Sequence, residues 1–466
     1  MNDSGLGTQY GLQIPAPEAE YPFTIHCLTP SAMASSLTSP SARTAAEARR
    51  VALAGGIGTT IEWYDFFIYG TAAAVVFAPQ FFPQVSDLAG TLAAFGTFAI
   101  GFIARPLGGV AMGHYGDRLG RKSMLVWSLM LMGLSTLGIG LLPNYSRLGV
   151  WAPLLLVAFR FVQGFALGGE WGGAVLMSVE HAPQGRRGFY GSFVALGLPA
   201  GIILSNLVFL VTSSAVSPAA FAEWAWRIPF IASAALVIVG LWVRMGLAES
   251  PIFAEIVKTQ RARRMPIVDV LRHDARAVFL AAGSYIGIST LGYIVIVYFV
   301  SYATRELKFP LTTTLGLLLT AAVMFAGSIL LFATWSDRFG RRRIMRWGNG
   351  ALVLWSLVFF PLADTRSVVL AGLALCGILV IQGAYIGPQP AVFSELFPTA
   401  TRYSGASLSL TLGTILGGAV SPAIAAALFG ATGNSSLITV YIAAMAFIAW
   451  LCTLGLKETY RDDLAR

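Results

Sequence analysis

Twelve apolar runs, each near the roughly 20 residues that a helix needs to cross about 30 Å of hydrocarbon, constrain this chain more than any other feature. They fall at 51–77, 88–112, 123–142, 151–178, 189–213, 225–246, 278–303, 312–334, 344–362, 367–392, 404–430 and 437–456, with short polar breaks between them. In a bilayer the backbone must satisfy its own hydrogen bonds, so runs of this kind are helices and not open strands. Hydrophobic residues make up 56% of the chain and charged residues 11%, too few charges to cover a soluble protein of this length. The net charge of +9 is no footprint for nucleic acid, because the basic residues sit in breaks beside apolar runs.

Those basic residues also give an orientation. Breaks after even-numbered runs hold Arg118, Arg121, Lys122, Arg186, Arg187, Lys258, Arg261, Arg263, Arg264, Arg272, Arg338, Arg341, Arg342, Arg343 and Arg402. Breaks after odd-numbered runs hold Arg147, Arg305, Lys308 and Arg366. The asymmetry places both termini in the cytoplasm of a multi-pass protein of the cell membrane. Residues 1–48 are rich in Ser, Thr, Ala and Pro and read as a disordered cytoplasmic tail, within which Met33 is a candidate true start. The longest internal break, 247–277, is a cytoplasmic linker carrying the amphipathic stretch SPIFAEIVKTQ. It separates an N-terminal six-helix bundle (49–246) from a C-terminal one (278–458), and 459–466 form a second tail. The four His and three Cys show no ligand or disulfide spacing, so neither a metal nor a cofactor is expected.

The two halves repeat. GHYGDRLGRK at 113–122 returns as TWSDRFGRRR at 334–343, with Asp117 and Asp337, Gly120 and Gly340, and Arg121 and Arg341 all 220 residues apart. Glu180, Arg186 and Gly188 are matched by Glu395, Arg402 and Gly405 at offsets of 215–217. Duplication of a six-helix unit predicts an all-α integral membrane fold of twelve transmembrane helices in two pseudo-symmetric bundles, with a site between them.

These loops resemble the signature of the major facilitator superfamily, over residues 50 to about 458. The second copy departs from the signature at Ala333, which implies that a tight helix contact is missing there. EWYDFFIYG at 62–70, ARPLGG at 104–109, RFVQGFALGGEWGGA at 160–174, WRIPF at 226–230, ESPIF at 249–253 and ELFPTATRYSGAS at 395–407 are similar to the metabolite:proton symporter family. FFPQVS at 81–86 and GTLAAF at 90–95 resemble its shikimate branch. The resemblance implies proton-coupled uptake of a small organic acid or zwitterion by alternating access. Known substrates of that family include shikimate, 2-oxoglutarate, citrate and proline or betaine. Its partners would be a small metabolite, protons and the bilayer, with no nucleic acid and with a functional monomer. A proton-coupled antiporter or exporter is the alternative.

Five charges lie well inside the runs: Glu62, Asp65, Arg105, Arg160 and Glu170. Each needs a partner or a water-filled cavity. From the helical rise, Glu62 lies ~18 Å and Asp65 ~22 Å from the Arg50 edge. Such depths put Glu62 and Asp65 with Arg160 in an outer group and Arg105 with Glu170 in an inner one. In the functional reading an acid of the first helix carries the proton and Arg160 is its switchable partner, since a nearby cation favours the carboxylate and its withdrawal the acid. A similar Asp and Arg occur in proton-coupled sugar porters, at the motifs that Asp65 and Arg160 occupy. The other reading is a permanent network that holds helices together. Arg160 is also a candidate to grip a substrate carboxylate.

Gln163, Asn206, Tyr285, Tyr293, Tyr298, Gln382, Tyr385 and Gln389 are candidate cavity residues, or else helix-to-helix bonds. The glycines from Gly164 to Gly173 read as close packing, not phosphate binding. Asp117, Arg121, Glu180, Arg186, Asp337, Arg341, Glu395 and Arg402 form the expected cytoplasmic gate. No nucleophile–base pair or nucleotide loop points to an enzyme.

Overall fold

The computed structural model describes residues 40–119, 121–245, 266–398 and 401–461. Most of the expected N-terminal tail, Met33, the SPIFAEIVKTQ stretch and residues 462–466 lie outside the described residues. From Thr44 onward the chain forms one compact unit, and its described residues are helical throughout, without strands.

Twelve helices appear where the apolar runs predict them. In the first half these are α1 (Pro40–Val75), α2 (Asp87–Leu119), α3 (Arg121–Leu141), α4 (Trp151–Glu180), α5 (Arg187–Ala215) and α6 (Ile228–Met245). In the second half they are α7 (Ala275–Arg305), α8 (Leu311–Phe339), α9 (Arg341–Ala363), α10 (Val368–Glu395), α11 (Arg402–Thr432) and α12 (Ser436–Gly455). Among the described residues nine are long and apolar enough to cross a membrane by that measure alone. The other three are α1, α3 and α9. Glu62 and Asp65 dilute α1, and α9 opens on three arginines.

Contacts run mainly within each half: α2 on α4 and α3 on α6 in the first, α8 and α9 on α10 and α7 and α9 on α12 in the second. Across the halves α5 lies against α8 and α2 against α11, the symmetric pairing that a duplicated unit produces. Several helices are locally broken near the molecular centre. A 3₁₀ turn interrupts α4 at Leu167–Gly169, and π turns interrupt α7 at Ile294–Tyr298 and α11 at Ile415–Ala419. Such irregular turns recur at functional sites.

Small residues let the helices close up. A Cβ on Gly164 would stand 2.0 Å from the carbonyl oxygen of Gly101 on α2, so these glycines serve packing. The tight contact expected to be missing at Ala333 is present. Glycines on the partner helices supply the space, because a Cβ on Gly188 would fall 2.8 Å from the Ala333 carbonyl and one on Gly387 2.9 Å from the Ala333 nitrogen. The substitution Gly164→Val should lower thermal stability by several degrees in detergent, since overpacking costs on the order of 1–3 kcal/mol. Gly96→Val, which meets nothing within 4 Å, should melt like the parent in the same fluorescence-detected melting series.

Candidate functional site

EWYDFFIYG puts Glu62, Asp65 and Phe66 on neighbouring faces of α1, and each finds a different neighbour. Glu62 pairs with Arg105 of α2 at 3.5 Å. Asp65 is fully buried and accepts a hydrogen bond from Thr136 of α3 at 3.0 Å. Arg160 of α4 makes no ion pair with a carboxylate among the described residues; its Nη1 donates to Gln163 Oε1 at 2.5 Å. Gln163 Nε2 in turn donates to Thr136 Oγ1 at 2.8 Å. A chain thus runs from cation to carboxylate, Arg160, Gln163, Thr136, Asp65, and its last link alternates with a bond from the same Thr136 hydroxyl to Met132 O at 2.9 Å.

This arrangement corrects the expected grouping. Glu62 belongs with Arg105 and not with Arg160, and Asp65 meets Arg160 only through two intermediates. The side chain of Glu170 lies outside the described part, so its expected pairing with Arg105 has no description here. Thr136 was missed by the sequence reading, because one threonine in an apolar helix carries no signal of its own.

Aromatic rings replace counter-ions around the guanidinium groups. Arg160 lies 4.2 Å from the ring centroid of Tyr69, 4.6 Å from that of Phe66 and 5.1 Å from that of Phe98. Arg105 lies 5.4 Å from Phe66 and 5.2 Å from Phe102. Phe66 therefore stands between the two guanidinium groups. A desolvated guanidinium on a ring face is held by the ring quadrupole, so Arg160 stays buried without a direct ion pair. Gly101 makes room for it, since a Cβ there would lie 2.7 Å from Arg160 Nε.

A cavity between the halves is walled by Glu62, Trp63, Arg105 and Trp171 from the first and by Tyr285 and Gln389, among others, from the second. Tyr293 of α7 packs across the halves, its ring 5.2–5.7 Å from Phe66, Phe98 and Phe102. Tyr293 Oη, Gln382 Nε2 and Gln389 Nε2 are buried with no hydrogen-bond partner among the described residues. Buried polar atoms are nearly always satisfied; of these three, Gln389 is on the cavity wall and so offers an open donor to a polar guest there. Other expected cavity residues are occupied elsewhere. Asn206 donates to Ile202 O of its own helix while its Oδ1 is buried without a partner among the described residues, Tyr385 bonds Ser284 at 2.6 Å, and Tyr298 packs with Phe95 and Tyr302.

At the Arg-rich end the second repeated loop meets the start of α5. Asp337 of α8 reaches across the halves and accepts from the backbone amides of Gly188 and Phe189 at 2.8 and 2.9 Å. It caps the first turn of α5, where amides lack helical partners and a negative charge suits the helix dipole. Arg341 grips both oxygens of Glu395, at 2.6 and 2.8 Å. Across the halves Arg187 approaches Glu395 at 3.6 Å and Arg402 approaches Glu180 at 3.5 Å. Arg186, expected in this set, is exposed just before α5; its neighbour Arg187, the first helical residue, faces Glu395 instead. The side chains of Asp117 and Arg121 lie outside the described part.

The segment after α12 joins the same network. Glu458 accepts from the backbone amides of Arg341 and Arg342 at the start of α9, and Thr459 donates to Glu395 at 2.7 Å. At the opposite end Arg305 of α7 donates to Thr91 of α2 at 2.9 Å. The halves therefore touch at both ends of the cavity.

Two matched sets of six membrane helices, with buried charge and open polar atoms around a cavity between them, define a membrane transporter. The chain belongs to the Major Facilitator Superfamily, whose family model matches residues 55–422. It is 42% identical over 420 residues to the inner membrane metabolite transport protein YhjE of Escherichia coli K12, covering 89% of this chain and 95% of that one. It is 40% identical over 426 residues to the shikimate transporter of the same strain, again covering 89% and 95%. The crystal structure of a D-xylose-proton symporter superposes with a TM-score of 0.71 at 17% identity, covering 89% of this chain and 99% of that one. That likeness shows the fold. The chain is a multi-pass transporter and not an enzyme.

If Asp337 holds the Arg-rich end shut, Asp337→Ala should open it. In a background without the native cysteines, Val179→Cys is buried in the seam between the halves. It should react with a maleimide roughly 5–30 times faster in the Asp337→Ala protein, the ratio expected for a shift of one or two kcal/mol. An unchanged labelling rate would remove Asp337 from the gate.

Proposed function

We propose that this chain is a symporter that takes up a small organic acid or zwitterion together with protons, by alternating access. Its Arg-rich end and both termini face the cytoplasm, following the positive-inside asymmetry, and its membrane is the bacterial inner membrane. The observation that carries this reading is a fully buried carboxylate, Asp65, joined to a buried cation only through Gln163 and Thr136, beside an ion pair on the cavity wall. The shikimate and proline/betaine transporters among its relatives support the substrate class.

The geometry divides two tasks. Arg105, on the wall, is the group that meets a substrate carboxylate, and Glu62 is the partner that the substrate displaces; an arginine holds a carboxylate through two parallel bonds. Gln389 offers a hydrogen bond from the second half, where Tyr293 and Gln382 hold further open polar atoms. Trp63 and Trp171 present ring faces to an ammonium group, where the substrate has one. Arg160, enclosed by rings, does not reach this guest and serves coupling instead.

Asp65 is the proton carrier. Its Oδ1 accepts no well-formed hydrogen bond among the described residues, and the Ser233 hydroxyl stands beside the carboxyl, which leaves a position for the proton and an acceptor near it. The relay transmits the state of Arg160: with the relay intact the cation supports the carboxylate, and breaking it removes that support. Movement of α4 against α3 during alternation is enough to break a chain of three hydrogen bonds.

Uptake of shikimate, dicarboxylates, citrate and betaine into proteoliposomes tests the proposal. The true substrate should enter faster under an inward proton gradient. Asp65→Asn should abolish that acceleration while substrate exchange without a gradient persists. Arg105→Gln should weaken both, on the order of 100-fold, as expected when one member of a buried pair is removed. Uptake slowed by the inward gradient would reassign the protein to antiport.

A further inference from the structure

On the outer wall at the Arg-rich end, α8 and α9 diverge around a cleft of about 510 Å³ that plays no part in the transport site. Trp335, Arg338, Phe339, Arg343, Ile344 and Trp347 line it. The rings are unusually open for such large apolar groups: Trp335 is 43% exposed, Phe339 57% and Trp347 67%. Up α9 the exposed surface continues through Leu354 and Val358, the apolar character of a wall that meets lipid tails.

The loop TWSDRFGRRR divides its charges between two sides. Asp337 and Arg341 turn inward to α5 and Glu395, and Arg342 donates to the carbonyl of Leu454. Arg338 and Arg343 turn outward, are exposed, and make no ion pair or hydrogen bond among the described residues. Arg346, one turn on, lies 6.0 Å from the ring of Trp347. Two uncompensated guanidinium groups stand at the mouth of an aromatic cleft whose floor runs onto lipid-facing surface. Tryptophan favours the headgroup level of a bilayer, and basic pockets between helices at that level attract anionic headgroups.

We propose that this cleft binds an anionic phospholipid, with Arg338 and Arg343 on its phosphate and its acyl chains against Trp347, Ile344 and the exposed face of α9. Two guanidinium forks match phosphate oxygens, and the apolar wall requires chains as well as charge. The duplicated sequence supplies a comparison within the same molecule. At the 220-residue offset Trp335 corresponds to Tyr115 and Trp347 to Trp127, but Arg343 corresponds to Ser123. The first half therefore lacks one of the two cations, and the lipid site belongs to the second half.

Native mass spectrometry of the full-length protein, titrated with dioleoylphosphatidylglycerol, dioleoylphosphatidylcholine or tetraoleoyl cardiolipin, tests this. The anionic lipids should bind at least ten-fold more tightly than phosphatidylcholine. The double variant Arg338→Gln with Arg343→Gln should lose that preference, on the order of ten-fold for two basic groups at a membrane surface. Arg338→Lys with Arg343→Lys should keep most of it, which separates lost charge from lost folding. Arg147→Gln with Arg366→Gln, removing the same charge at the opposite end, should leave it intact. Equal affinity for all three lipids, equal loss in the opposite-end variant, or competition by inorganic phosphate at the lipid's own concentration would each overturn the proposal.

Discussion

A guanidinium group buried among aromatic rings, with no carboxylate against it among the described residues, is the interaction on which the rest of the first bundle depends. Arg160 is 1% exposed, and an uncompensated charge at the centre of a bilayer costs at least ~2.5 kcal/mol. The rings of Phe66, Tyr69 and Phe98 meet part of that cost through their quadrupoles, and Gln163 meets part through one short hydrogen bond. Gly101 has to be a glycine for the side chain to pass α2. The cation is held without an ion pair among the described residues, its Nε and Nη2 left without a hydrogen-bond partner there, and Asp65 bonds Thr136 instead; that separation gives the site two states to move between. A direct Asp65–Arg160 bridge would have been a rivet.

The fold was legible in the sequence and the partners were not, for a definite physical reason. A span of apolar residues long enough to cross a bilayer announces itself by length, and the repeated loops announce the duplication. Depth along a helix also follows from counting. Direction around it matters as much. Residues three apart on α1 differ by about 60° in azimuth, enough to send Glu62 to α2 and Asp65 to α3, although their depths are similar. Depth alone therefore paired Glu62 with the wrong arginine. A one-residue error has the same origin at Arg186 and Arg187, where the first lies outside the helix and the second inside its first turn.

The repeat has diverged by function. Away from the Arg-rich end, the buried charges of the described residues lie in α1, α2 and α4, while the second half contributes the neutral groups Tyr293, Gln382 and Gln389. Neutral hydrogen-bonding groups facing a charged set let a substrate join the halves without requiring two charged surfaces to desolvate together. Helix irregularity occurs in both halves, but the π turns are in the second. The π turn of α7 begins immediately after Tyr293, on the helix that is the most enclosed of the long spans.

The residues that follow α12 carry an implication for biogenesis. Glu458 and Thr459 complete a network whose other members, Arg341 and Glu395, sit on α9 and α10. All twelve helices are made before those two residues leave the ribosome. Throughout synthesis the start of α9 lacks its acceptor and Glu395 one of its donors, so the nascent transporter enters the bilayer with that end unfastened. The final fastening comes with a segment that never enters the membrane.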